Sequence, residues 1–114
     1  MEAWVRLASE DPDVEDVLLV LGRAEIRWTD LYHALEVVFH DVGRRVHDDG
    51  WATRAEVIRF KQTANSRAAL GPDARHGHRR HEAPANPMDE SDARELVFRV
   101  VRSWLNDKCA AGGA

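Results

Sequence analysis

Apolar residues in this chain return every third or fourth position and nowhere every second, and that regularity excludes most folds. Leu31, Leu35, Val38, Val42 and Val46 lie within about 80° of one another at 100° per residue, a stripe that a helix presents and a strand does not. Val14, Val17, Leu18 and Leu21 repeat the pattern earlier in the chain. Leu96, Val97, Val100, Val101, Trp104 and Leu105 form a wider stripe near its end. With no alternating segment to supply a half-buried strand, the predicted fold class is all-α: a single antiparallel bundle of about four helices over residues 1–114.

Local signals set the helix boundaries. Asp11 is an N-cap residue with Pro12 at the first helical position, where the missing N–H costs nothing, and Gly22 is a natural stop. Ahead of it, Trp4, Val5 and Leu7 suit an amphipathic turn folded back on the bundle. Thr29 is the expected cap of a longer second helix ending at Gly50, with Gly43 weakening its middle by roughly 1 kcal/mol. Thr53 and Glu56 have capping-box spacing and open a third helix whose inner face is Val57, Phe60 and Ala64. Asp89 caps the fourth, and residues 109–114 form a flexible tail. The predicted core is Leu35, Val38, Val42, Phe60, Val97, Val100, Val101 and Trp104. Trp4, Trp28, Trp51 and Trp104 are read as core anchors.

Composition narrows the function classes. An apolar fraction of 44% over 114 residues is enough for one core. One cysteine, Cys109, excludes a disulfide scaffold and a CxxC zinc site, and fits a reducing cytoplasm. No apolar run approaches the ~20 residues that cross a bilayer. The acidic start lacks the basic and then apolar regions of a secretory signal. A cytoplasmic protein without a membrane partner is expected.

Charge is distributed unevenly. Residues 1–50 carry 12 acidic and five basic side chains, whereas residues 51–82 carry seven basic and three acidic, with three of the six histidines. Between the third and fourth helices, residues 65–88 form a long polar and basic loop containing Gly71-Pro72, Gly77, Pro84 and Asn86-Pro87, and almost no apolar residue after Leu70. Connections of this length in small domains are commonly functional or disordered. Within it, Arg75, His76, His78, Arg79, Arg80 and His81 place three guanidinium groups and three imidazoles in seven positions. Arginine supplies forked donors that match phosphate oxygens, and histidine transfers protons near neutral pH. The absence of aromatics in the loop argues against base stacking. The competing reading is a solvated loop whose charges pair with the acidic first half.

Three stretches carry a resemblance. Thr63-Ala64-Asn65-Ser66, Ala74-Arg75-His76-Gly77 and Asn86-Pro87-Met88 before a final amphipathic helix resemble a family of small, uncharacterised bacterial helical proteins. Trp28-Thr29-Asp30-Leu31-Tyr32 and Asp41-Val42-Gly43 extend the likeness. The layout, a polar Arg/His motif ahead of the last helix, is in turn similar to HEPN domains, which are helical, usually dimeric and often metal-independent ribonucleases. Arg75-x5-His81 has the motif's spacing, with His76 at its polar position. The resemblance implies His81 as the proton-transferring group, Arg75 as the stabiliser of transition-state charge, and His76 as an orienting group. His78, Arg79 and Arg80 would hold RNA phosphates. No cofactor is implied; the implied partners are RNA and a second copy of the chain or another protein. The alternative class is a non-catalytic protein-interaction or regulatory subunit.

Two further patterns compete for attention. Arg27-x5-His33 shows the same spacing and is read as coincidence. His33, His40 and His47 recur at intervals of seven, drifting about 20° per step, on a stripe opposite the apolar one. With Glu36 they have the look of a metal set, but no closing ligand is evident, and a solvent or helix-partner face is expected.

Overall fold

The computed structural model describes residues 2–66 and 87–113. Six helices run through them: α1 (Glu2–Glu10), α2 (Pro12–Leu21), α3 (Trp28–Val42), α4 (Arg45–Asp48), α5 (Arg54–Asn65) and α6 (Glu90–Gly113). No strand occurs among the described residues. The all-α class is therefore as expected, while the helices outnumber the expected four for two local reasons.

At the N-terminus, the expected turn is a nine-residue helix. It ends where the Asp11 N–H donates to the Leu7 carbonyl at 2.9 Å, and Asp11 at once caps α2 by accepting from the Asp13 and Val14 N–H groups. One residue thus closes α1 and opens α2. The second reason is Gly43. It sits at φ 60° and ψ −136°, a conformation that strains any residue with a Cβ, so α3 stops at Val42 and the chain restarts as the short α4. Val46 is still fully buried, but from a different helix than Val38.

The start of α3 also differs from expectation. Thr29 does not cap it; the Arg27 N–H donates to Asp30 Oδ2 at 2.9 Å, a carboxylate reaching back from the first turn. Asp30 is buried, and Arg23 Nη1 neutralises its other oxygen at 2.8 Å. At α5 the Thr53–Glu56 box forms in both directions, at 2.9 and 3.1 Å. Asp89 Oδ1 accepts from the Asp92 N–H at 2.9 Å, the expected cap of α6. Helical backbone then continues to Gly113, over most of the segment assigned to a tail.

The core centres on α3, whose Leu31, Ala34, Leu35 and Val38 meet Val14 and Val17 of α2, Val57 and Phe60 of α5, and the apolar stripe of α6. Trp28 and Tyr32 stack on Phe60 with ring centroids 5.8 and 6.0 Å apart. Of the predicted core, only Val42 is not fully enclosed, because the chain turns away at Gly43 beside it. Trp104 and Trp28 are buried, whereas Trp4 and Trp51 pack at the margin. Fully burying each large apolar side chain contributes about 1.5–3 kcal/mol.

Candidate functional site

Arg75, His76, His78, Arg79, Arg80 and His81 all lie outside the described residues. What the structure does place is the pair of ends between which they are carried. α5 finishes at Asn65 and the chain re-emerges at Pro87, next to where it left. Thr63, on the buried side of α5, accepts from the Met88 N–H at 3.0 Å while its own hydroxyl donates to the Arg59 carbonyl at 2.9 Å. Arg59 Nη2 donates to the Pro87 carbonyl at 3.0 Å. Met88 and Ser66 are both buried. Met88 inserts into the core as a plug, so the rejoining strand of chain is fixed by apolar burial and by two hydrogen bonds at once.

Sequence reasoning did not single out this clamp, although one signal was present. Thr63 lies between Phe60 and Ala64 on the inward face of α5, and a hydroxyl at a core position needs a partner.

A second polar cluster joins three helices at the opposite end of α6. Lys108 Nζ lies 2.9 Å from Asp11 Oδ2 and 2.8 Å from Asp41 Oδ2, and the Trp104 indole N–H donates to the same Asp41 oxygen at 2.8 Å. The ammonium also sits over the Trp104 ring, 5.1 Å from its centroid. Partial burial alone would raise the Asp41 carboxyl. Hydrogen bonds from Lys108 and Trp104, with the Lys108 charge, outweigh burial and hold it below its ordinary value. Asp11 is lowered likewise against burial, by Lys108 and by the Val14 and Asp13 N–H groups. For Lys108 burial would lower the pKa, but hydrogen bonds to Asp41 and Asp11, and their charges, raise it instead. A lysine held protonated between two carboxylates is no nucleophile or base. The cluster is a staple between the start of α2, the end of α3 and α6.

The histidine stripe comes apart. His33 reaches both Asp16 oxygens at 3.0 and 3.1 Å, tying α3 to α2 at a half-exposed edge. His40 is exposed on α3. His47 belongs to α4, beyond the break at Gly43, and its Nδ1–H donates to the Ala52 carbonyl at 2.9 Å with the ring 5.5 Å from Phe39. Among the described residues, no group of three or more His, Cys, Asp or Glu is placed to hold a metal ion. Arg27 and His33, the other pair with the motif spacing, lie six residues apart at the head of α3, about 240° round the helix.

Arg99 forms a third junction. It donates to Glu56 at 2.8 Å, to the Trp51 carbonyl at 3.1 Å and to Glu95 at 3.3 Å, binding α6 to the head of α5. Burial would raise the Glu56 carboxyl, but the Thr53 N–H and Arg99 hold it below its ordinary value. No described helix is long and apolar enough to cross a membrane. No protein-family model, curated protein or solved structure matches this chain.

Proposed function

We propose that this chain engages RNA through Arg75–His81 and cleaves it as a metal-independent ribonuclease of HEPN type. In this reading His81 takes the proton of a ribose 2′-hydroxyl or delivers one to the leaving 5′-oxygen. The 2′-oxygen bonds to phosphorus as the 5′-oxygen departs, giving a cyclic phosphate and a free 5′-hydroxyl. Arg75 stabilises the charge that builds on the phosphate, His76 orients it, and His78, Arg79 and Arg80 hold neighbouring phosphates.

The observation that carries the reading is the clamp of Arg59, Thr63, Pro87 and Met88. It joins the end of α5 to Pro87 and Met88, the two places between which the chain carries Arg75–His81. Between those two places the sequence is richest in arginine and histidine, the side chains that match phosphate oxygens and move protons near neutral pH. The reading accords with the steep contrast between this segment and the acidic first half, since a local positive patch on an acidic protein is an electrostatic landing site for phosphate.

Cleavage of a single-stranded RNA in the presence of EDTA tests it. Turnover should persist in EDTA, spare DNA for want of a 2′-hydroxyl, and fall strongly in both Arg75→Ala and His81→Ala. The double variant should lose little more, because groups acting on one transition state are not additive. Arg27→Ala and His33→Ala should leave turnover unchanged. Cleavage that needs a divalent metal, or that persists in the double variant, would eliminate this mechanism.

The second reading, a non-catalytic interaction or regulatory subunit, is favoured by one observation. Val5, Leu19 and Ile58 are 62%, 68% and 56% exposed, and Val5 opens onto an apolar groove with Trp4, Leu18 and Phe98. RNA binding without turnover, insensitive to His81→Ala, would select it.

A further inference from the structure

Where the chain turns from α4 into α5, a cleft of about 560 Å³ opens against α6. His47, Asp48, Trp51 and Arg54 line it, with the Glu56–Arg99 pair in its wall. The turn is fixed, because the Trp51 and Ala52 N–H groups both donate to the Val46 carbonyl, at 2.9 and 3.2 Å. The volume falls within the roughly 300–1,000 Å³ of sites that enclose small molecules, and a lone ion would leave most of it empty. Most of the charge around the cleft is already matched. Asp48 takes Arg44 at 3.0 Å and Glu56 takes Arg99 at 2.8 Å, while Arg99 also holds Glu95 and the Trp51 carbonyl. Two polar groups of the lining are not matched. Arg54 is exposed and makes no ion pair or side-chain hydrogen bond among the described residues. His47 donates its Nδ1–H to the Ala52 carbonyl at 2.9 Å, which fixes the tautomer and leaves Nε2 as an acceptor without a hydrogen bond among the described residues. Trp51 is half-buried, and Arg45, which does not line the cleft, lies over its ring 5.7 Å from the centroid.

We propose that this cleft binds a free nucleoside monophosphate. Three requirements of the lining decide the class. The Arg54 guanidinium calls for an anionic head, and its forked donors match phosphate oxygens. Trp51 offers a flat apolar ring to an aromatic base. His47 Nε2 needs an N–H or O–H, which the exocyclic amine of a base and the ribose hydroxyls supply. A bare anion meets the first requirement alone and an apolar metabolite the second alone. A nucleoside monophosphate carries all three groups in one small molecule. The site goes beyond the ribonuclease reading. None of its residues belongs to Arg75–His81 or to the clamp, so either proposal can fail while the other stands.

Calorimetric titration of the full chain with adenosine 5′-monophosphate, adenosine and inorganic phosphate tests it. The monophosphate should bind at least about tenfold more tightly than either fragment, because only it engages Arg54 and Trp51 together. It should also quench tryptophan fluorescence. Arg54→Ala, at an exposed position that the fold does not use, should weaken binding about tenfold or more, the scale of a charge-assisted hydrogen bond. Trp51→Leu should weaken it at least about fivefold, the scale of a base stacked on an aromatic ring, and remove the quenching. His47→Asn keeps a donor in the place of Nδ1 and deletes Nε2, so it should cost about threefold with the circular dichroism unchanged. Affinity should be the same in Arg79→Ala/Arg80→Ala as in the wild type. Four results would overturn the proposal: a monophosphate that binds no tighter than its fragments, affinity indifferent to Arg54→Ala, quenching retained in Trp51→Leu, or affinity lost in Arg79→Ala/Arg80→Ala. The last would put the nucleotide on the basic segment instead of in the cleft.

Discussion

The two ends of α6 are both tied to distant parts of the chain by polar groups, yet the ties differ in kind. At the C-terminal end, Lys108 is enclosed by Asp11, Asp41 and the Trp104 ring, and each of these groups satisfies another. At the N-terminal end, Thr63 accepts from the Met88 N–H and Arg59 donates to the Pro87 carbonyl, side chains on backbone, while the Met88 side chain is buried. A lysine with two carboxylates has the composition of a catalytic centre. Closed geometry and mutual charge compensation make it a fastening instead. The clamp contains no unusual chemistry at all, and it is the element that carries the candidate site. Position in a satisfied or an open network, more than residue type, separates structure from function here.

Breaking the closed end should therefore cost stability and spare RNA binding. The largest effect is expected for Trp104→Ala, which removes a fully buried ring and the indole N–H from Asp41 together. A loss of about 3–5 kcal/mol in urea unfolding is expected, a large share of a small domain's stability. Lys108→Met should follow, at about 1.5–3 kcal/mol, because it leaves two partly buried carboxylates facing each other without their cation. If the cluster were catalytic instead, Lys108→Met would abolish turnover at a protein concentration and temperature where the fold is intact.

The clamp should respond in the opposite way. Thr63→Val keeps the shape but leaves the buried Met88 N–H without its acceptor, at about 1–2 kcal/mol. It should also weaken RNA binding, which Lys108→Met should not. Equal RNA affinity in both variants would erase the distinction between the two ends.

The smallest expected effect is a pH dependence that maps the closed end. Asp11, Asp41 and Glu56 all titrate below their ordinary values in the fold. Each group is therefore protonated more readily in the unfolded chain, which binds the extra protons as pH falls. Their contribution is full above the ordinary carboxylate range near pH 4 and is lost as pH drops through the lowered values. Melting temperature should fall on acidification below about pH 4, and less steeply in Lys108→Met, where Asp11 and Asp41 lose the group that lowers them.

Much of the fold was legible because it is written in short-range signals. Asp11 with Pro12, the Thr53–Glu56 box, Asp89 and the apolar stripe of α6 each act within a turn or two, and each appears where the spacing places it. The misreadings came from choices between adjacent local options. Asp30 outcompeted Thr29 because a carboxylate in the first turn can reach back to the Arg27 N–H. Gly43 ended a helix that its neighbours would have continued, since its positive φ turns the chain towards α4. The staple was illegible because Lys108 and Asp11 stand 97 positions apart, and no local pattern couples them. The candidate site divides in the same way. Its residue types are conspicuous in sequence, but the clamp that flanks it joins positions 25 and 28 apart, which only the packed helices reveal.

The most direct measurement is the salt dependence of single-stranded RNA affinity for the wild type and the Arg79→Ala/Arg80→Ala variant. Each neutralised phosphate releases counterions and steepens the fall of log affinity with log salt by about 0.7 for single strands. The account predicts a steep wild-type slope, reduced by about 1.4 in the double variant with the thermal unfolding unchanged. Negligible affinity at low salt in both proteins, or an identical slope, would contradict it and leave Arg75–His81 without a nucleic-acid partner.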